Sequence, residues 1–84
     1  MAISEGQRKV LNIIVELSGR TTTTVIRDSV VVEYSDDLPA KEMYNYLNQL
    51  HGLGYISIDT RAKGGVDFRL INVTTQGLCS SKFR

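Results

Sequence analysis

One histidine, His51, and one cysteine, Cys79, are all the imidazole and thiol chemistry the chain has. A lone cysteine rules out an intramolecular disulfide and a cysteine-cluster zinc site, and Cys79 is expected to pack as a small buried hydrophobe. A metal site would need carboxylates beside His51, and no spacing provides them. No nucleophile, base and orienting group recur together, and the glycine pair Gly64-Gly65 lacks the strand-to-helix setting of a phosphate-cradling loop. The expectation is no enzyme, no metal and no cofactor. The remaining polar chemistry is that of recognition. Lys41, Tyr44, Asn45, Asn48 and Gln49 lie close together, and Arg61, Lys63 and Arg69 follow. Amides of this kind pair with other donors and acceptors, and the cations attract anions.

Positioning those groups falls to a short chain of 84 residues, 42% hydrophobic and 23% charged, which is ordinary globular composition. One domain over residues 1–84, with one modest core, is expected. Apolar runs such as Val30, Val31 and Val32 are too short to cross a bilayer, and the first residues have no signal-peptide pattern. A cytoplasmic location without membrane association is the default expectation. Net charge is +1, but it is unevenly spread. Between 21 and 60, Arg27 and Lys41 are outnumbered by Asp28, Glu33, Asp36, Asp37, Glu42 and Asp59. From 61 onward Arg61, Lys63, Arg69, Lys82 and Arg84 stand against Asp67 alone, an asymmetry that suits an end facing a polyanion.

Local signals then place the elements. Ser4 with Gln7 three residues on reads as a capping box, Ile3 can staple the start, and Val10, Leu11, Ile13, Ile14 and Leu17 recur at helical spacing up to Gly19. Helix 1 is predicted over about 5–18. The β-branched run at 21–24 favours a short extended segment able to join a later hairpin as a third strand. Helix 2 is predicted over about 23–34, although a strand at 29–34 would fit Val30, Val31 and Val32 and give a different α+β fold. Asp36 or Asp37 can cap a helix led by Pro39 at its first position. Helix 3, at about 39–52, would bury Ala40, Met43, Tyr46, Leu47 and Leu50 and end at Gly52 and Gly54, with His51 meeting the free carbonyls there or capping the core. Residues 55–60 alternate as a half-buried strand, 61–65 form a turn whose glycines supply positive φ, and 66–73 return. On the return strand Asp67, Arg69 and Asn72 should point outward, with the alternation slipping near Leu70-Ile71. Residues 74–84 close the chain as a turn or short helix, with Thr74 as a cap.

Helix, extended segment, helix, turn, helix and hairpin is an order that resembles winged helix-turn-helix proteins, especially small regulators of the MarR and PadR type. The phrases that carry the resemblance are Leu50-His51-Gly52-Leu53-Gly54-Tyr55-Ile56, where helix 3 runs into the first wing strand, and Val73-Thr74-Thr75-Gln76-Gly77 after the second. They point to the superfamily and to no subfamily. The resemblance implies an α+β winged helix: a three-helix bundle with a two- to three-stranded antiparallel wing at about 55–73.

It further implies a sequence-specific binder of double-stranded DNA, a transcriptional regulator with helix 3 in the major groove and the wing on flanking backbone. Asn45, Asn48 and Gln49 would then meet base edges, Lys41 and Tyr44 phosphates, and Arg61, Lys63 and Arg69 would hold the backbone. Arg20 and the hydroxyls of 21–24 are lesser candidates. A homodimer is expected, joined through helix 1 or the segment after Gly77, with no small-molecule effector. Against this stand Asp36 and Asp37, which would repel phosphates if they faced the same groove. The alternative is a winged-helix module for protein interaction or dimerisation, for which the Tyr-rich helix 3 also suits.

Overall fold

A computed structural model describes residues 3–35 and 37–81. Its described elements run in the order α1 (Glu5–Leu17), β1 (Ile26–Arg27), α2 (Asp28–Tyr34), α3 (Ala40–Gly52), β2 (Ile56–Lys63), β3 (Val66–Val73) and α4 (Thr75–Ser80). The fold is α+β, with these four helices and one antiparallel sheet of strand order β1-β3-β2.

Helix α1 starts on the capping box. Gln7 N–H donates to Ser4 Oγ at 3.1 Å, and Ser4 N–H donates back to Gln7 Oε1 at 3.0 Å. The helix ends in a Schellman motif: Gly19, at φ +70°, donates to the Glu16 carbonyl, and Arg20 N–H reaches the Val15 carbonyl at 2.9 Å. Helix α3 ends in the same way. Gly54, at φ +80°, donates to His51 O and Tyr55 N–H to Leu50 O at 3.0 Å. The last-turn carbonyls are thus taken by backbone, and the His51 ring, expected at them, lies in an exposed residue instead.

The middle of the chain departs from expectation. Helix α2 begins at Asp28, five residues later than the predicted 23, and the strand alternative at 29–34 is not adopted. Residues 21–25 stay extended or turned. Thr21 Oγ1 lies within 3.3 Å of Thr23 Oγ1 and 3.2 Å of Thr24 Oγ1, hydroxyl contacts that compete with helix formation. The third strand follows at Ile26–Arg27 because Ile26 pairs with Ile71 and buries on the core side of the sheet. Asn72, expected outward, is half-buried and donates from Nδ2 to Thr24 O at 2.9 Å, fastening the run to β3.

Pro39 is the N-cap of α3, not its first residue, and no side chain caps this helix. Asp37 instead reaches Lys9 Nζ of α1 at 3.6 Å, and the capping role considered for Asp36 lies outside the described residues. Ala40, expected inward, is exposed. The helix buries Met43, Leu47 and Leu50 and lays Tyr46 over α1, where a β-carbon on Gly6 would overlap the phenol ring.

In the hairpin, Lys63 pairs with Val66, leaving Gly64 (φ +62°) and Gly65 (φ +80°) as a two-residue turn. Two consecutive left-handed residues define the turn type that matches strand twist, so the strands run further towards the tip than expected. The register is unbroken from Ile56↔Val73 to Lys63↔Val66, so alternation does not slip at Leu70-Ile71. Ile56, Ile58, Ile71 and Val73 face the helices, and Leu70 is half-buried on the other face. Helix α4 is capped by Thr74, whose Oγ1 accepts from Gly77 N–H at 3.1 Å and donates to Gly54 O at 2.7 Å. Cys79, expected buried, is exposed: α4 is too short to sink both its sides, and Gly77 takes the inward one.

Candidate nucleic-acid interface

All eight singled-out side chains belong to exposed residues, but the fold does not bring all eight to one surface. At 100° per residue, burial of Met43, Leu47 and Leu50 fixes the inward side of α3. Lys41, Asn45 and Asn48 then fall on the opposite side, with Tyr44 on one flank and Gln49 on the other. Gln49 Oε1 accepts from Gln7 Nε2 at 2.7 Å, so the flank bearing Gln49 is tied to the capping box of α1. On the other flank, Arg69 Nη1 of β3 donates to Asn48 Oδ1 at 3.3 Å. This bond holds the outward helix face to the hairpin and fixes which way the Asn48 amide presents its N–H groups.

Paired residues share a face of a sheet, and neighbours along a strand alternate. Thr60 pairs with Arg69, so both look to the α3 side, whereas Arg61 and Lys63 look to the other side. Arg61 is also engaged: its Nη2 and Nε lie 2.8 and 2.9 Å from Asp59 Oδ2. The surface assembled beside α3 therefore consists of Lys41, Tyr44, Asn45, Asn48 and Arg69. Two carboxylates, Asp28 and Asp67, line the same groove between α3 and the hairpin. Of the lesser candidates, Thr21 Oγ1 also contacts Ser18 O at 3.2 Å, and Arg20 sits in the left-handed region at φ +65°.

Sequence reasoning missed two features here. The Arg27 guanidinium lies 4.2 Å from the centre of the Phe68 ring, a cation–π contact created by the Arg27↔Leu70 register, which no local signal encodes. A second groove, between α1 and the turn after α2, contains Lys9, Glu16, Tyr34 and Asp37. There Tyr34 Oη donates to Glu16 Oε2 at 3.2 Å. The Glu16 charge, and next this hydrogen bond, raise the phenol's pKa above the ordinary tyrosine value, because ionisation would set two negative groups together. The stability from this contact is full below the ordinary tyrosine pKa and fades as pH rises through the raised one. Glu16→Gln should accordingly move one tyrosine to lower pH in a tyrosinate absorbance titration. Superimposable curves would refute the contact.

Among the described residues, no three His, Cys, Asp or Glu side chains are grouped to hold a metal ion. Nor is any helix among them long and apolar enough to cross a membrane. Comparison with protein-family models gives no match, and comparison with curated proteins gives none either.

Proposed function

We propose that the chain is a winged helix that binds double-stranded DNA as a small cytoplasmic transcriptional regulator, with α3 in the major groove and the β2–β3 hairpin as its wing. The supporting observation is the outward side of α3. Lys41, Asn45 and Asn48 are exposed there, while the opposite side is consumed by the core, and Arg69 of the hairpin is bonded to Asn48. Amides on such a surface suit adenine edges, and the cations suit phosphates. Asp37, which would repel phosphates, points to Lys9 of α1. In this reading Asn45 and Asn48 discriminate, Lys41, Tyr44 and Arg69 hold backbone, and a homodimer doubles the contacts.

Titration against mixed duplex DNA at low and moderate salt tests the proposal. Affinity should fall steeply with salt, because bound cations displace counterions from phosphates. Lys41→Ala should weaken binding on every sequence alike and reduce the salt slope by about 1. Absence of binding at low salt would overturn the reading. A protein-interaction module is the second reading, favoured by one observation: Asp28 and Asp67 line the groove beside Tyr44 and Asn48, where they suit a basic partner better than a phosphate.

A further inference from the structure

Strand β2 lies at the edge of the sheet and, among the described residues, pairs only with β3. Its other edge offers unpaired N–H and C=O groups, and residues 59–63 are all exposed. Such edges are normally blunted by charges that repel another strand. Here the charges have opposite signs two residues apart on one face, Asp59 and Arg61, with their side chains already 2.8 Å from each other.

We propose that this edge is the interface with a second copy of the chain, the two β2 strands pairing antiparallel about a two-fold axis at Thr60. That register sets Asp59 opposite Arg61 of the partner subunit and Arg61 opposite the partner's Asp59. It also sets Thr60 on its own symmetry mate, Ile58 against Ala62, and Ser57 against Lys63. Every pair is then complementary: acid with base, apolar with apolar, hydroxyl with hydroxyl or ammonium. The neighbouring registers that keep the same faces aligned fail. Moving the axis to Asp59 stacks two carboxylates, and moving it to Arg61 stacks two guanidiniums. The product is a continuous six-stranded sheet, β1-β3-β2 followed by its symmetry mate, with the edge hidden at its centre.

The inference does not rest on DNA binding, and it places the dimer contact away from α1 and the segment after Gly77. It also gives Arg61 a partner other than phosphate. A strand-edge contact is smaller than the roughly 1,200 Å² of stable complexes, so association is weak and calls for chain concentrations up to about millimolar.

The test is sedimentation equilibrium at low salt on wild type, Asp59→Arg and Arg61→Asp. Wild type should dimerise reversibly. Each variant alone places like charges opposite each other twice per dimer and should bind itself roughly tenfold or more weakly. An equimolar mixture of the two variants should regain dimers, since the basic strand now faces the acidic one. Loss of the intrachain Asp59–Arg61 pair, or misfolding of either variant, cannot produce that rescue. Wild type that stays monomeric to about millimolar concentration overturns the proposal. Variants that associate like wild type, or a mixture that associates no better than its components, do so as well.

Discussion

Gly77→Ala is expected to destabilise the protein by roughly 3 kcal/mol or more, in the upper range for a single added methyl group. Gly77 is buried, and a β-carbon there would overlap the Tyr55 carbonyl oxygen while standing 3.0 Å from Val73 Cγ2. The obstruction is backbone, which cannot swing aside as a flexible side chain does. That carbonyl also accepts from Thr74 N–H at 3.1 Å, and Thr74 in turn binds Gly54 O and Gly77 N–H. Relief of the overlap would therefore pull apart the contact between α4 and the start of β2. Chemical denaturation should show the midpoint falling sharply. Gly52→Ala is the control: a β-carbon there meets nothing within 4 Å, and the position is helical, so stability should rise by up to about 0.5–1 kcal/mol. A Gly77→Ala protein as stable as wild type would mean that α4 does not rest on the Tyr55 carbonyl.

If the proposed DNA reading holds, Asn45→Ala should reduce sequence discrimination while leaving most non-specific affinity in place. On the outward side of α3, Asn45 is exposed and has no assigned role in the fold, so its truncation should not disturb packing. A lost bidentate amide contact costs about 1–3 kcal/mol on the preferred site and little elsewhere. Lys41→Ala should do the reverse, weakening all sequences together. Competition between a selected duplex and random duplex separates the two effects. Unchanged preference in both Asn45→Ala and Asn48→Ala would remove α3 as the reading element. Asn48→Ala is a less clean probe, because it also releases Arg69.

Local chemistry made much of this legible beforehand. The Ser4–Gln7 box, the Gly54 stop and the Gly64-Gly65 tip each depend on residues within a few positions of one another, and the structure has all three. In the phrase ending in Gly77 the Thr74 cap was legible, but the need for glycine was not, since the Tyr55 carbonyl that Gly77 accommodates is distant in sequence. Register and tertiary pairing escaped. Helix α2 starts after residues 23–27, where Ile26 instead pairs with Ile71 and is buried, a partner distant in sequence. Asp37 left its expected cap for Lys9, a partner on another helix. For the same reason the eight candidate residues read as one group in sequence but divide in space. Gln49 is drawn to Gln7, and strand alternation turns Arg61 and Lys63 to the far face of the hairpin from Arg69.

The central claim, that the outward side of α3 and the hairpin beside it form a DNA interface, is tested most directly by amide chemical-shift mapping during titration with duplex DNA. Shifts should concentrate at Lys41, Tyr44, Asn45, Asn48 and Arg69 and fade as salt is raised. Shifts confined to other surfaces, or none at low salt, would contradict it.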